Sequence, residues 1–414
     1  MNPTLRIQRF TNPGYPHAMD AVIQGGRIAS IQPHQDLADD DATSIDARGR
    51  LLLPGLIEPH IHLDKAFLLP HMKEDVSSIA EAIASTAVLK RSFTKTDIAE
   101  RAKQTLYQAI ANGVTHMRCH VEIDPIVRLL GMEVMLELKA QFQDRITLQI
   151  VAFPQEGIAK QPGTEELLRQ AMALGADAIG GITYQDEDVE MHLRTVFNLA
   201  REFGTPIDLH ADFSDDPQML AIRTIIHMTE AYGLQGRVSV GHLTSLGSLP
   251  PAQAEPICQA IAKAAIHVMT LPATDLYLNG RNDTHRLRRG LTPVAMLLKQ
   301  GANVIYGSNN IQNPFTPFGT ADPLDTGLLL AQTAHMGSKT DALTLLDMAT
   351  TRAANALGIR NYGLRVGADA DLVLFEATDP RSALYERAPR SFVWKRGQLV
   401  ASTSKTTAFY PVQH

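Results

Sequence analysis

Pro54-Gly55-Leu56-Ile57-Glu58-Pro59-His60-Ile61-His62-Leu63-Asp64-Lys65 is an apolar run of strand character that ends on two histidines spaced i, i+2. On a β-strand, residues two apart point to the same face, so the imidazoles of His60 and His62 lean into one small volume. Two convergent neutral imidazoles make half of a divalent-metal site, and the carboxyl end of a strand is where barrel enzymes place their chemistry. The bland alternative is an exposed strand end that merely carries two histidines. The rest of the chain decides between them.

Outward from this stretch, strand and helix patterns alternate. Strands are expected over Leu52–Pro59, Val114–Val121, Ile146–Phe153, Ala178–Ile182, Pro206–His210, Arg237–His242, His267–Leu271 and Asn303–Ser308. Amphipathic segments fill the gaps, and several end on glycine before the next strand: Gly113, Gly175, Gly204, Gly233 and Gly301. Asp97-x-x-Glu100 has a capping-box pattern that opens a helix running to Ala111. Eight such units predict an α/β fold, a (β/α)8 TIM-type barrel over residues 55–360. A doubly wound open sheet is the alternative, but no glycine-rich phosphate turn follows any strand. The two ends, residues 1–54 and 361–414, hold short strand pieces instead: Leu5–Gln8, Ala21–Gln24, Arg27–Ile31, Asp371–Phe375, Phe392–Lys395 and Gln398–Ser402. Turns fall at Gly25-Gly26 and Arg396-Gly397. A small β-sandwich domain built from both ends is expected.

The composition excludes several classes of function. A hydrophobic share of 44% with 20% charged residues fits an ordinary globular protein able to bury a large core. A formal charge of −6 gives no electrostatic reason to expect nucleic acid or an anionic membrane as partner. No stretch approaches the ~18 consecutive apolar residues needed to span a bilayer. Met1–Arg6 lacks a basic-then-apolar signal, and a cytoplasmic location is expected. Two cysteines, Cys119 and Cys258, are too few for a disulfide framework. The expected partner is a small-molecule substrate, and self-association into a homo-oligomer stays compatible with the sequence.

The strand ends carry the chemistry. The first barrel strand ends on His60 and His62, the fifth on His210, the sixth on His242, and the eighth runs into Ser308-Asn309-Asn310. Histidines at the ends of different strands face one barrel mouth. Three of them, His60, His62 and His210, leave a coordination position open for water, which is the catalytic arrangement. Such an ion brings the pKa of its water toward ~7. His242 is placed to polarise an electrophile or to move a proton, with a supporting core histidine as the bland reading. His17, His34, His71, His192, His227, His285, His335 and His414 read as surface or satisfied helix residues.

These residues and their surroundings resemble the amidohydrolase superfamily, in its cytosine deaminase and N-isopropylammelide hydrolase branch. The resemblance is carried by Glu58-Pro59-His60-Ile61-His62-Leu63-Asp64, His120-Val121-Glu122 and Gln149 through Gly157. Gly280-Arg281 through Gly290, Pro317 through Ala321 and Gly367 through Val373 complete it. It implies that His60, His62 and His210 ligate one divalent metal, zinc or iron. It also implies that His242 is the catalytic histidine and that Gln155 binds a planar amide-like edge of the substrate; His120 is expected to help orient that substrate.

Two departures stand out. Phe213 occupies the place of the branch's proton-shuttling glutamate, and Asn309 that of its strand-eight aspartate. Asparagine can offer a carbonyl oxygen to a metal but is no base near neutral pH. Asp212 is the leading candidate to move protons instead, because it shares the face of His210 if the strand persists, and Asp64 is the second. The expected function is metal-dependent hydrolysis of a C–N bond in a small planar nitrogen heterocycle, cyclic amide or amidine, by metal-activated water and with a substrate other than cytosine. The alternative is a weakly active or non-catalytic relative that binds such a ring. Weaker signals read blandly. Asp186-Glu187-Asp188 reads as a helix-start charge cluster, Arg286, Arg288 and Arg289 as loop arginines or steering charges, and Cys119 as packing.

Overall fold

The computed structural model describes residues 4–35, 43–72, 75–76, 78–285 and 287–410; Arg286 and His414 lie outside them. The amino-terminal end supplies β1 (Leu5–Phe10), β2 (Met19–Gln24), β3 (Arg27–Pro33) and β4 (Thr43–Asp46), which form one sheet in the order β3-β2-β1-β4. β5 (Leu52–Pro54) then leaves that sheet and pairs antiparallel with β14 (Leu372–Phe375). With β15 (Arg390–Lys395) and β16 (Gln398–Ser402) it makes a second sheet, in the order β16-β15-β14-β5. Side chains from both sheets, among them Ile7, Phe10, Ile28, Leu52, Leu372, Leu374 and Trp394, share one buried cluster. The module at the chain ends is therefore a sandwich in which the amino-terminal half lends a strand to the carboxyl-terminal sheet.

The expected first strand, Leu52–Pro59, proves to be two. β5 belongs to the sandwich and β6 (Leu56–Ile61) to the barrel, with Gly55 at the break. A β-carbon at Gly55 would stand 2.2 Å from the Thr115 hydroxyl, so only glycine lets the chain pass there. The barrel continues through β7 (Val114–Glu122), β8 (Thr147–Phe153), β9 (Ala178–Ile182) and β10 (Ile207–Ala211). β11 (Val238–His242), β12 (His267–Thr270) and β13 (Asn303–Tyr306) complete it, each strand parallel to the next. The ring closes where the Asn309 amide donates to the His60 carbonyl at 2.8 Å and the His62 amide donates to the Asn309 carbonyl at 2.9 Å.

All residues of β6 and β7 are buried, as parallel strands covered on both faces require. Leu209, Val240, Val268 and Val304 pack outward with helix residues such as Val196, Ile225 and Ile261. The intervening positions turn inward, which puts Asp208 and His210 together inside the barrel. The helix expected to open at Asp97 spans Lys95–Ala111, with Thr94 three residues before Asp97 as its cap, accepting from the Asp97 amide.

Candidate active site

His60 and His62 leave β6 and His210 leaves β10 so that their Nε2 atoms meet. His60 Nε2 and His62 Nε2 lie 3.1 and 3.2 Å from His210 Nε2. The Nδ1 atoms of all three rings are buried without a hydrogen-bond partner among the described residues. Burial, reinforced by neighbouring cations, holds the three imidazoles well below the usual histidine range, so each ring is neutral and keeps a lone pair. Hydrogen bonds among rings whose other nitrogens are all unsatisfied are a poor account of this packing. A cation is a better one: four ligands at ~2.0–2.1 Å around a tetrahedral ion stand roughly 3.3–3.4 Å apart. Asn309 Oδ1 is also buried with no partner among the described residues, a neutral oxygen on the residue that bridges the His60 and His62 backbones. The donor set of His60, His62 and His210 fits a divalent ion.

Beneath this trio is a carboxylate that the sequence reading passed over. Asp208 lies on β10 two residues before His210, on the same face. It accepts from Arg118 at 3.0 Å and pairs with His120 Nε2 at 3.1 Å, and its oxygen stands 3.8 Å from His60 Nδ1. The His120 ring lies 3.9 Å from that of His60, so the structure places His120 beside the converging imidazoles, its Nδ1 without a hydrogen-bond partner among the described residues. For Asp208, the Asp208-x-His210 spacing was the signal available in the sequence.

His242 ends β11 with a positive φ of 74° and sets its ring 5.3 Å from that of His210. Its Nδ1 lies 2.7 Å from Asp275 Oδ1, on the helix Pro272–Leu278, and both groups are buried. Burial pushes the Asp275 carboxyl up, and the pairing with His242 opposes that. Donation from Nδ1–H to this carboxylate leaves Nε2 as the ring's acceptor. Phe213 stacks on the same imidazole, with centroids 4.1 Å apart and planes 15° from parallel. No sequence pattern ties Asp275 to His242, since they follow different strands.

The structure does not bring Asp212 to the imidazoles. β10 ends at Ala211, and Asp212 adopts a φ of 54°, so the alternation that would have aligned it with His210 stops one residue earlier. Its two carboxylate oxygens accept from the amides of Ala221 and Ile222, at the start of the helix Ile222–Ala231. Burial pushes this carboxyl up to about 7 from 3.8, although the two amides favour the anion. A folded value above the unfolded one means that the group's contribution is full at low pH and is lost as pH rises through about 7. Between about pH 4 and 7 the slope from one such group approaches 1.4 kcal/mol per pH unit. Asp212→Asn is therefore expected to flatten the fall in stability over that range, measured by urea unfolding at a series of pH values, and an unchanged slope would refute the assignment. Asp64 is likewise committed elsewhere: its Oδ2 accepts from the Glu122 amide, and burial pushes the carboxyl up to about 6.

A second buried network borders the site. Lys65 Nζ donates to Glu122 at 2.9 Å and to Gln155 Oε1 at 2.7 Å. Lys90 Nζ, fully buried, contacts Glu122, Asp124 and Glu156 at 3.2, 2.6 and 2.7 Å. Against the upward pull of burial, the two lysines hold Glu122 down at about 2. Lys90 follows the helix Ile79–Leu89, whose residue Ala82 packs with Val76, Phe213, Leu278 and Phe315. The ammonium thus ties that helix to β7 and the loop after β8. Lys90→Met would strand Asp124 and Glu156 without their cation, an expected loss of roughly 3–5 kcal/mol by urea unfolding. A loss under about 1 kcal/mol would show that the network is not a structural tie.

The weaker signals resolve simply. Asp188 caps the helix Val189–Phe203, whereas Asp186 turns inward to His192 and to the amides of Ile158 and Lys160. Arg288 pairs with Asp283, and Arg289 reaches the Thr333 carbonyl and His335. Cys119 is buried in the core, and burial pushes its thiol up, away from nucleophilic use. Among the described residues, no helix is long and apolar enough to cross a membrane.

Known proteins resemble this chain over most of its length. A profile described as "Amidohydrolase family" matches residues 99–401. An N-isopropylammelide isopropyl amidohydrolase of Pseudomonas sp. (strain ADP) is 28% identical over 393 residues, covering 92% of this chain and 93% of that one. A pterin deaminase of Rhizobium rhizogenes is 27% identical over 404 residues, covering 96% and 92%. The crystal structure of 5-methylcytosine deaminase from Klebsiella pneumoniae, liganded with phosphonocytosine, superposes with a TM-score of 0.93. It is 30% identical and covers 98% of this chain and all of the other.

Proposed function

The chain belongs to the amidohydrolase family, and from that premise we propose that it hydrolyses a C–N bond of a small planar nitrogen heterocycle, cyclic amide or amidine, using one divalent metal. The observation that carries this reading is the meeting of three neutral Nε2 atoms at 3.1 and 3.2 Å, with every Nδ1 unsatisfied. His60, His62 and His210 would hold the ion, with Asn309 Oδ1 as the neutral oxygen available to it. When bound, zinc or iron supplies a water acidic enough to act as a nucleophile near neutral pH.

The chain's own groups supply the rest. His242, held by Asp275 with Nε2 free, is suited to accept a proton or to stabilise charge on the substrate's oxygen. Gln155 offers its amide to the edge of the ring, and the Phe213 face excludes water beside His242. Phe213 and Asn309 leave no carboxylate at either position that the resemblance assigns to proton transfer, which favours substrates other than cytosine whose departing group needs little acid assistance. Asp212 is left out of this assignment, because its oxygens serve the helix at Ala221 and Ile222.

Elemental analysis of protein purified without added metal tests the first part, with close to one zinc or iron per chain expected. A screen of pyrimidines, triazines, pterins and cyclic ureas for release of ammonia or amine tests the second. Protein that takes up no metal on reconstitution and releases nothing across the panel would be a binder of such rings, and the proposal would fail.

A further inference from the structure

Lys65 belongs to the opening motif, but no role fell to it from its spacing. Its Nζ lies 4.7 Å from the centre of the Phe315 ring and 6.0 Å from that of Phe153. Phe153 in turn lies 4.3 Å from the His210 ring, while Phe315 belongs to the apolar cluster that includes Phe213. The ammonium therefore sits between the ligand imidazoles and the aromatic cover over them. Two of its three N–H bonds go to Glu122 and Gln155, and among the described residues the third has no protein acceptor.

The contact with Gln155 settles the amide's orientation on chemical grounds. A lysine ammonium donates only, so the atom 2.7 Å away must be the carbonyl oxygen. A flipped amide would press its NH2 against the ammonium. Oε1 is thereby used up, and Nε2 carries two N–H bonds with no protein acceptor among the described residues. A free glutamine would offer a ring one donor and one acceptor; this one offers donors only.

We propose that Lys65, by binding Gln155 Oε1 and presenting its own remaining N–H, gives the pocket a donor-only recognition edge, so that the enzyme selects rings with two adjacent acceptors, at least one a carbonyl or enolate oxygen. Rings whose matching edge carries amino groups meet donor against donor and are rejected. This inference rests on the proposed function, since it names the class of ring which that site takes.

Isothermal titration of the metal-loaded protein with two rings of one size tests it: barbiturate, with an acceptor edge, and 2,4,6-triaminopyrimidine, with a donor edge. Barbiturate is expected to bind at least about tenfold more tightly, and Lys65→Met to shrink that preference to within about threefold. Should Lys65→Met fold poorly, Lys65→Met/Glu122→Gln removes both members of the pair while Lys90 keeps Asp124 and Glu156. Equal binding of the two rings, binding of neither, a preference for the triamino ring, or a preference that survives loss of Lys65 would each overturn the inference. Metal content and turnover of the unmodified protein separate the two levels. A chain that holds metal and cleaves C–N bonds without an edge preference fails only here, whereas one without metal or turnover fails the earlier proposal.

Discussion

His210→Ala is expected to leave less than about a tenth of the native metal content and to lower turnover by more than about a hundredfold. Loss of a mere supporting group around a metal costs 10–100-fold in affinity or activity as a rule, so loss of a ligand should cost more. His210 is the sharpest choice, because its Nε2 is common to both short contacts, with His60 at 3.1 Å and His62 at 3.2 Å. It is also the safest for the fold, because β10 is hydrogen-bonded along both sides, to β9 and β11, through its backbone. Circular dichroism should therefore show intact secondary structure while elemental analysis shows the metal gone. Stoichiometric metal and undiminished turnover in that variant would remove His210 from the ligand set.

The second large effect falls on a residue that, in the proposal, touches neither the metal ligands nor the substrate. Asp275→Asn should lower kcat by about 10²–10⁴ with metal content unchanged. The carboxylate accepts from His242 Nδ1 at 2.7 Å and so dictates which nitrogen keeps its proton. An asparagine can turn its NH2 toward Nδ1, which moves the ring proton to Nε2 and abolishes the acceptor facing the site. Because Asp275 acts through His242, His242→Ala and the double variant should show nearly the same residual rate. A rise in KM alone, or losses that add, would make Asp275 a packing residue, and turnover that survives His242→Ala would end the role given to that histidine.

The extent to which the site could be read in one dimension follows from the range of the forces involved. Period-two alternation, glycine at helix ends and histidine at the last position of a strand are local features. They were enough to predict the barrel, the sandwich from both ends, and the meeting of His60, His62 and His210 at one rim. Strand alternation also holds only while the strand does. Asp212 takes a left-handed φ directly after Ala211, so a projection that was sound for His210 failed two residues later. The single strand expected at Leu52–Pro59 failed for a similar reason, because Gly55 lets the chain step from one sheet to another beside Thr115.

By itself, then, the amino-acid order determined the architecture, the metal-ligand candidates and the absence of two acids, Phe213 and Asn309 standing in their places. Tertiary structure alone decided which groups set the protonation and orientation of that site: Asp275 beside His242, Asp208 beside His120, and Lys65 on Gln155. These partners lie 33, 88 and 90 residues apart in sequence. A hydrogen bond depends on distances good to a few tenths of an ångström between separate strands and loops, and no periodicity along a chain encodes those.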